Sequence, residues 1–298
     1  MTGAVVEKKY RNSQKTKDRI ISIFIGFFAL TWLFPIAWTL WTSLRPYSEV
    51  LMQGIFSIPT KVDLTNYREA LNQMFMYRYF ANTLIVLVPV VVISLFFASS
   101  MAFVITKFNF KHIKQLLLLF IVGSLLPPQV IFLPIFKMYI IVGSWFGNKS
   151  MLYDNYLGLI LIHIALQTGF ATFILNSYLQ TIPKEISEQA QVDGASVFQH
   201  YFMIVLPMMK APILTLGILI STWVYNDFFW GFAMMKSDAI RPMSTALGRI
   251  GAFRQLIPDQ GVLAAGSLIA ALPLLILYLF LRKHFMSGII LGTVVKAK

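Results

Sequence analysis

The 298-residue sequence predicts an all-α, polytopic membrane protein with six transmembrane helices, and three observations lead there. Apolar residues make up 57% of the chain and charged residues only 12%, where water-soluble domains carry about 25% charge. Six stretches reach the roughly 17 to 25 residues that a helix needs to cross a hydrocarbon core. The net charge of +13 flanks several of those stretches instead of forming one stripe interleaved with aromatics, so topology and anionic membrane lipid explain it better than nucleic acid.

Along the chain, residues 1–18 are polar and basic, which reads as an arm with no fold of its own. The first apolar stretch, 20–43, is too long and too aromatic, with Trp38 and Trp41, for a cleaved signal segment, so it is expected to stay. A connecting segment of mixed charge follows, with Leu64 to Leu71 (LTNYREAL) reading as a short helix. The second and third stretches are 80–105 and 115–141, the latter interrupted by Pro127 and Pro128. The fourth is 156–179, the fifth 209–235 and the sixth 261–281, with Pro273 inside it and a tail at 286–298. Residues 19–285 thus form one membrane domain, without a visible internal repeat.

An even number of spans puts both termini on one side. Segments on that side, with Lys210, hold 15 Lys and Arg against 10 opposite, and six of them crowd the first span, so the termini are expected in the cytoplasm. No cysteine is present, which excludes disulfides and thiolate metal sites.

The polar island at 181–207 stands between two long apolar stretches. Pro183 suits a helix start, and Glu185 and Glu188 suit its positive end. Asp193 and Gly194 make a sharp turn, because glycine enters the left-handed region without a Cβ clash. A second short helix is expected from Ser196, with Phe198, Tyr201, Phe202 and Val205 as one apolar stripe at i, i+3, i+4, i+7. Ala190, Gly194 and Ala195 add no bulk, so a partner's backbone can approach the turn. The reading is a docking surface.

This island resembles the EAA motif of the permease subunits of ATP-driven importers, through Glu188, Ala190, Asp193, Gly194, Ala195, Tyr201, Ile204, Leu206 and Pro207. Gln189 stands where that family usually has alanine, and Tyr201 where phenylalanine is commoner. The resemblance implies the type I ABC importer permease fold in a bacterial or archaeal plasma (inner) membrane, with the island as a cytoplasmic coupling helix. Implied partners are two ABC ATPase subunits, a second related permease and an extracytoplasmic solute-binding protein. Ser43, Leu44, Arg45 and Pro46, and Asn82, Thr83 and Leu84, look like the maltose-type sugar branch.

Asp227 is the only carboxylate well inside an apolar stretch, among Tyr225, Asn226 and Trp230. An intramembrane charge is costly and normally faces a bundle interior or water. Aromatic and amide groups around it suit a sugar's ring faces and hydroxyls, although Trp and Tyr near a span's end also form an interfacial belt. His163 and Gln167, four residues apart, and Gln129 after the proline pair either line the same route or bridge helices. The long segment 236–260, with Arg241, Arg249, Arg254 and Asp259, is a candidate surface for the binding protein.

The chain has no G-x-x-x-x-G-K-[ST] phosphate loop, no catalytic constellation and no H-x-x-x-H, so neither ATP hydrolysis nor a metal or other cofactor is expected of it. Rival readings are the same machinery carrying a polyol, glycerol phosphate or peptide, and an ion-coupled secondary transporter, which would want more buried carboxylates and a repeat.

Overall fold

A computed structural model of the chain describes residues 2–54, 57, 61–72, 75–108, 112–248 and 259–294. They form helices, in two compact units. The first comprises Met1–Met74 and Gly251–Leu268, the second Phe75–Ile250 and Ile269–Lys298.

In the first unit α1 (Thr2–Ser43) runs unbroken through the basic arm, which corrects the expectation that residues 1–18 lack structure. The arm's Lys, Arg, Gln and Glu are good helix formers, and extending an existing apolar helix avoids the cost of a new nucleus. The helix α2 (Tyr47–Gln53) and the helix α3 (Thr65–Asn72) follow. Arg45 is fully buried between them, 3.6 Å from Glu49, and donates to Gly54 O and Ser57 Oγ. Asn66 donates from its amide to the carbonyls of Ser43 (3.0 Å) and Arg45 (2.8 Å), and Tyr67 shares a 2.7 Å bond with the Ser43 hydroxyl. Two short motifs, each weak on its own in the sequence, are therefore halves of one knot.

In the second unit α4 (Met76–Lys107) is followed by α5 (Ile113–Leu125), α6 (Pro128–Trp145) and α7 (Tyr156–Leu179). α4 and α7 share the broadest contact, with α5 packed on α7. Their facing surfaces carry buried Ser94, Ala98, Ser99, Ala102, Ala171 and Thr172, small side chains that let two backbones approach where lipid offers no hydrophobic drive. Pro127 and Pro128 do more than kink the third stretch. Leu126 and Pro127 are extended, so α5 stays a short helix and α6 alone is long enough to cross.

The chain then makes α8 (Lys184–Val192), α9 (Val197–Gln199), a π-helix over His200–Val205, α10 (Leu206–Met208) and α11 (Lys210–Tyr225). α11 lies on α4 and α7. The fifth stretch, read as continuous over 209–235, in fact breaks at Asn226 and restarts as α12 (Phe229–Met234). A short 3₁₀ turn (Asp238–Ile240) and α13 (Met243–Leu247) lead on to α14 (Gln260–Val294), which passes Pro273 and continues through most of the expected tail. Asp259 caps α14, accepting from Gly261 N (2.9 Å) and Val262 N (3.2 Å). Within the first unit a Cβ on Gly261 would overlap the Asn66 amide, so this helix start requires glycine.

Five described helices are long and apolar enough to cross a membrane, and the bent pair Val197–Met208 with Lys210–Tyr225, at 71°, brings the number to six when it is counted as one span.

Candidate functional site

The island at 181–207 folds as helix, turn, helix. Pro183 is the N-cap of α8, and Asp193 closes it with its N–H on Gln189 O. Gly194 sits at φ +78°, donating to Gln191 O, while Ala195 N bonds back to Ala190 O at 2.9 Å. Space beside Gly194 is open, so the backbone angle and not crowding demands glycine there. Ser196 starts α9 with a full capping box, accepting from Gln199 N and donating its own N–H to the Gln199 side chain. Glu185, Glu188, Gln189, Asp193 and Gly194 are exposed, as is Val192, and Phe198 is 75% exposed.

The expected stripe does not form one face. His200–Val205 is a π-helix, whose wider turn breaks the 3.6-residue spacing. It ends at Leu206 and Pro207, where proline leaves the Met203 carbonyl without its α-helical donor. Phe198 consequently points outward, whereas Tyr201 is 6% exposed and shares a 2.7 Å bond with Ser99 Oγ on α4. Tyr201 is thus a root and not part of a docking face. Ala190 is buried too, and Ala195 half-buried, so the accessible patch is Val192, Phe198 and the carboxylates around them.

Around Asp227 the geometry is that of a cap. Its carboxylate accepts from Trp230 N (3.4 Å) and Gly231 N (3.1 Å), starting α12, and its carbonyl accepts from Ser244 Oγ at 2.5 Å. His163 Nε2 on α7 stands 3.6 Å from the same carboxylate and is 3% exposed. Tyr225 is buried with its hydroxyl on Ala270 O (2.7 Å), and Trp230 is 2% exposed. Within this chain these three side chains are buried in the packing between helices, the bridging role that the sequence also offered for His163. Gln129 and Asn226 remain exposed, Gln167 and Asp227 part-exposed.

Residues 94–289 match the family model of the binding-protein-dependent transport system inner membrane component. The chain belongs to this family. The permease is 30% identical to the arabinooligosaccharides transport system permease protein AraQ of Bacillus subtilis over 280 residues, covering 92% of this chain and 94% of that one. It is 26% identical to the melibiose/raffinose/stachyose import permease protein MelC of Bacillus subtilis over 281 residues, covering 94% and 98%. The structure of a bacterial ABC transporter that imports the acidic polysaccharide alginate superposes with a TM-score of 0.78 at 21% identity, over 92% of the permease and 98% of that chain. The type I importer permease fold and the multi-pass membrane character follow from these matches together with the apolar helices.

At the end of the permease away from the island, three polar side chains organise the chain from α12 to the start of α13. Asn82 at the start of α4 donates to the carbonyls of Ala239 (3.0 Å) and Arg241 (2.9 Å) and accepts from Tyr156 Oη (2.6 Å). Thr83 Oγ1 accepts from Met243 N at 2.8 Å. Asp154, at φ +54°, accepts from Lys236 N (2.8 Å), Ser237 N (2.9 Å) and Ser237 Oγ (2.5 Å). Burial pushes its carboxyl up, but the bonds from Ser237 and Lys236 and the Lys236 charge outweigh that and hold it below the usual range. Arg241, expected to greet a binding protein, is 7% exposed and turned in to Lys236 O (3.0 Å) and Asp238. Arg249 and Arg254 lie outside the described residues. Asp154 had no signal in the sequence, because a loop aspartate reads the same whether or not a distant loop binds it.

Proposed function

We propose that this permease carries a sugar or oligosaccharide inward, and that residues 184–199 are the cytoplasmic surface on which two ABC ATPase subunits push. The observation behind the coupling half is the exposed patch of Val192 and Phe198 beside Glu188 and Asp193, on a bend whose next turn is anchored to α4 through Tyr201. A bulky aromatic held outward on a capped turn is what a partner's pocket takes as an anchor. Nucleotide closure of the ATPases favours one state of the transporter by differential affinity, and rigid motion of the attached helices then switches access from outside to inside. With this surface cytoplasmic, both termini lie inside.

A second, related permease completes the route. The apolar window of α1 has none of its residues buried within its own chain, which supports a partner subunit and lipid as its cover. The carbohydrate half rests on AraQ and MelC, similar along nearly their whole lengths, and on the motifs at Ser43 and Asn82. A soluble binding protein delivers the solute at the end organised by Asn82 and Asp154. An ion-coupled mechanism is disfavoured by Asp227, whose carboxylate already caps α12.

The test is reconstitution in liposomes with the ATPase subunits, the second permease and the binding protein. Uptake of labelled oligosaccharide that needs ATP and is lost with Phe198→Ala supports the reading. ATP-independent uptake, or a Phe198→Ala variant that retains its ATPases and transports normally, contradicts it.

A further inference from the structure

α8 is weakly held. Among the described residues it shares no broad backbone contact with any other helix. Yet a surface that is pushed must pass its displacement to the spans. Behind α8 lies a hollow of about 510 Å³ lined by Lys107 and Thr106 of α4, Asn176 of α7, Ser187 and Glu188 of α8, and His200. His200 is 1% exposed at the start of the π-helix. Its Nδ1 lies 3.1 Å from Lys107 Nζ and its Nε2 lies 3.2 Å from Ser187 Oγ, while its ring meets Phe103 edge-on at 5.3 Å.

The tautomer follows from chemistry. A lysine ammonium has three donors and no acceptor, so Nδ1 accepts from Lys107 and the ring proton sits on Nε2, donating to Ser187. One neutral imidazole thereby ties the last turn of α4 to the middle of α8. Lys107 also lies over the Phe103 and Phe108 rings at 5.7 and 6.0 Å, which fixes its ammonium in place.

We propose that His200 is the positioning residue that makes α8 and α4 move as one piece, so that it sets how much solute crosses for each ATP consumed. This rests on the coupling-surface reading above and adds to it the link between that surface and the spans. A protonated His200 would turn a second donor toward Lys107 and open the latch. Burial, and then the Lys107 charge, lower its pKa from the ordinary 6.5. The neutral latch is therefore complete above 6.5 and weakens as pH falls below it through the lowered value. Other charged groups at the hollow are Glu188 and Lys184, both on α8.

The test uses the full reconstituted transporter with wild type, His200→Leu and His200→Gln, reading co-purified ATPase, ATP hydrolysed and solute imported. With His200→Leu the ATPases stay bound and hydrolyse ATP, but transport per ATP falls about tenfold, the scale of losing a buried polar link. His200→Gln, which can accept and donate without charging, restores most of that ratio. It also abolishes the decline in coupling that wild type shows as pH falls below 6.5 through the lowered value. An unchanged ratio in His200→Leu overturns the proposal, as does an identical pH profile in wild type and His200→Gln. If His200→Leu fails to fold, the pH comparison decides alone. Failure of the underlying reading is distinct, because it shows as a Phe198→Ala variant that keeps ATPases and transport intact.

Discussion

At Asp193 and Gly194 the chain leaves a helix by backbone geometry alone, in open space, with exposed side chains on both flanks. At Asn226 and Asp227 it leaves one against packed helices, and there several freed groups find partners in the protein. Asp227 caps the next helix, Ser244 binds the Asp227 carbonyl, and His163 stands against the carboxylate. The difference follows from the solvent. A bend in water lets water satisfy its polar groups, whereas a bend at membrane depth must find partners in the protein. The first interruption is free to present a surface. The second is a joint.

Gly158→Ala has the largest expected effect on the joint's surroundings. A Cβ there would run into the Leu152 carbonyl, and the Gly158 carbonyl already accepts from Tyr139 Oη at 2.8 Å. Backbone yields poorly, so the cost is about 3 kcal/mol or more, read as loss of monodisperse protein in detergent. Asp227→Ala comes next, at about 2 kcal/mol, since it uncaps α12 and strands His163. Melting of the purified permease should drop while coupling to the ATPases survives. Reduced uptake at unchanged melting would return Asp227 to the solute route.

Gly194→Val forces a β-branched residue to φ +78° and costs about 1–2 kcal/mol locally. Its main consequence is weaker ATPase co-purification with the spans intact, since no packing partner lies within reach. The smallest effect belongs to Asp154. Its lowered pKa means that its bonds to the segment after α12 contribute stability above the ordinary 3.8 and lose it as pH falls through the lowered value. Melting curves taken as pH falls below 3.8 should show that loss in wild type and not in Asp154→Asn.

These same two bends separate what the sequence could say from what it could not. The exposed one was legible because proline, acidic residues, glycine and a serine cap appear in helix-boundary order over a short polar stretch. The packed one was not, because Asn226 and Asp227 look like polar marks in a continuous span, and the partners of Asp227, His163 and Ser244, come from distant chain positions. Tyr201 was grouped with Phe198 by α-helical spacing, and the π-helix that separates them has no sequence signature of its own. His200 carried no signal, because its role exists only once Lys107 and Ser187 arrive from two other helices. Conversely, the motifs at Ser43 and Asn82 were visible as patterns and gained a cause only in the structure, where the first ties the end of α1 to α3 and the second ties the start of α4 to the chain between α12 and α13.

The central claim is that the patch on α8 and α9 faces the cytoplasm and is covered by the ATPase subunits. The native chain lacks cysteine, so Val192→Cys, at an 88% exposed site, gives a single thiol to label. A membrane-impermeant maleimide should leave it untouched in intact cells, modify it in inside-out vesicles, and be blocked there when the ATPases are assembled. Labelling from outside intact cells, or equal labelling with and without the ATPases, would contradict the account.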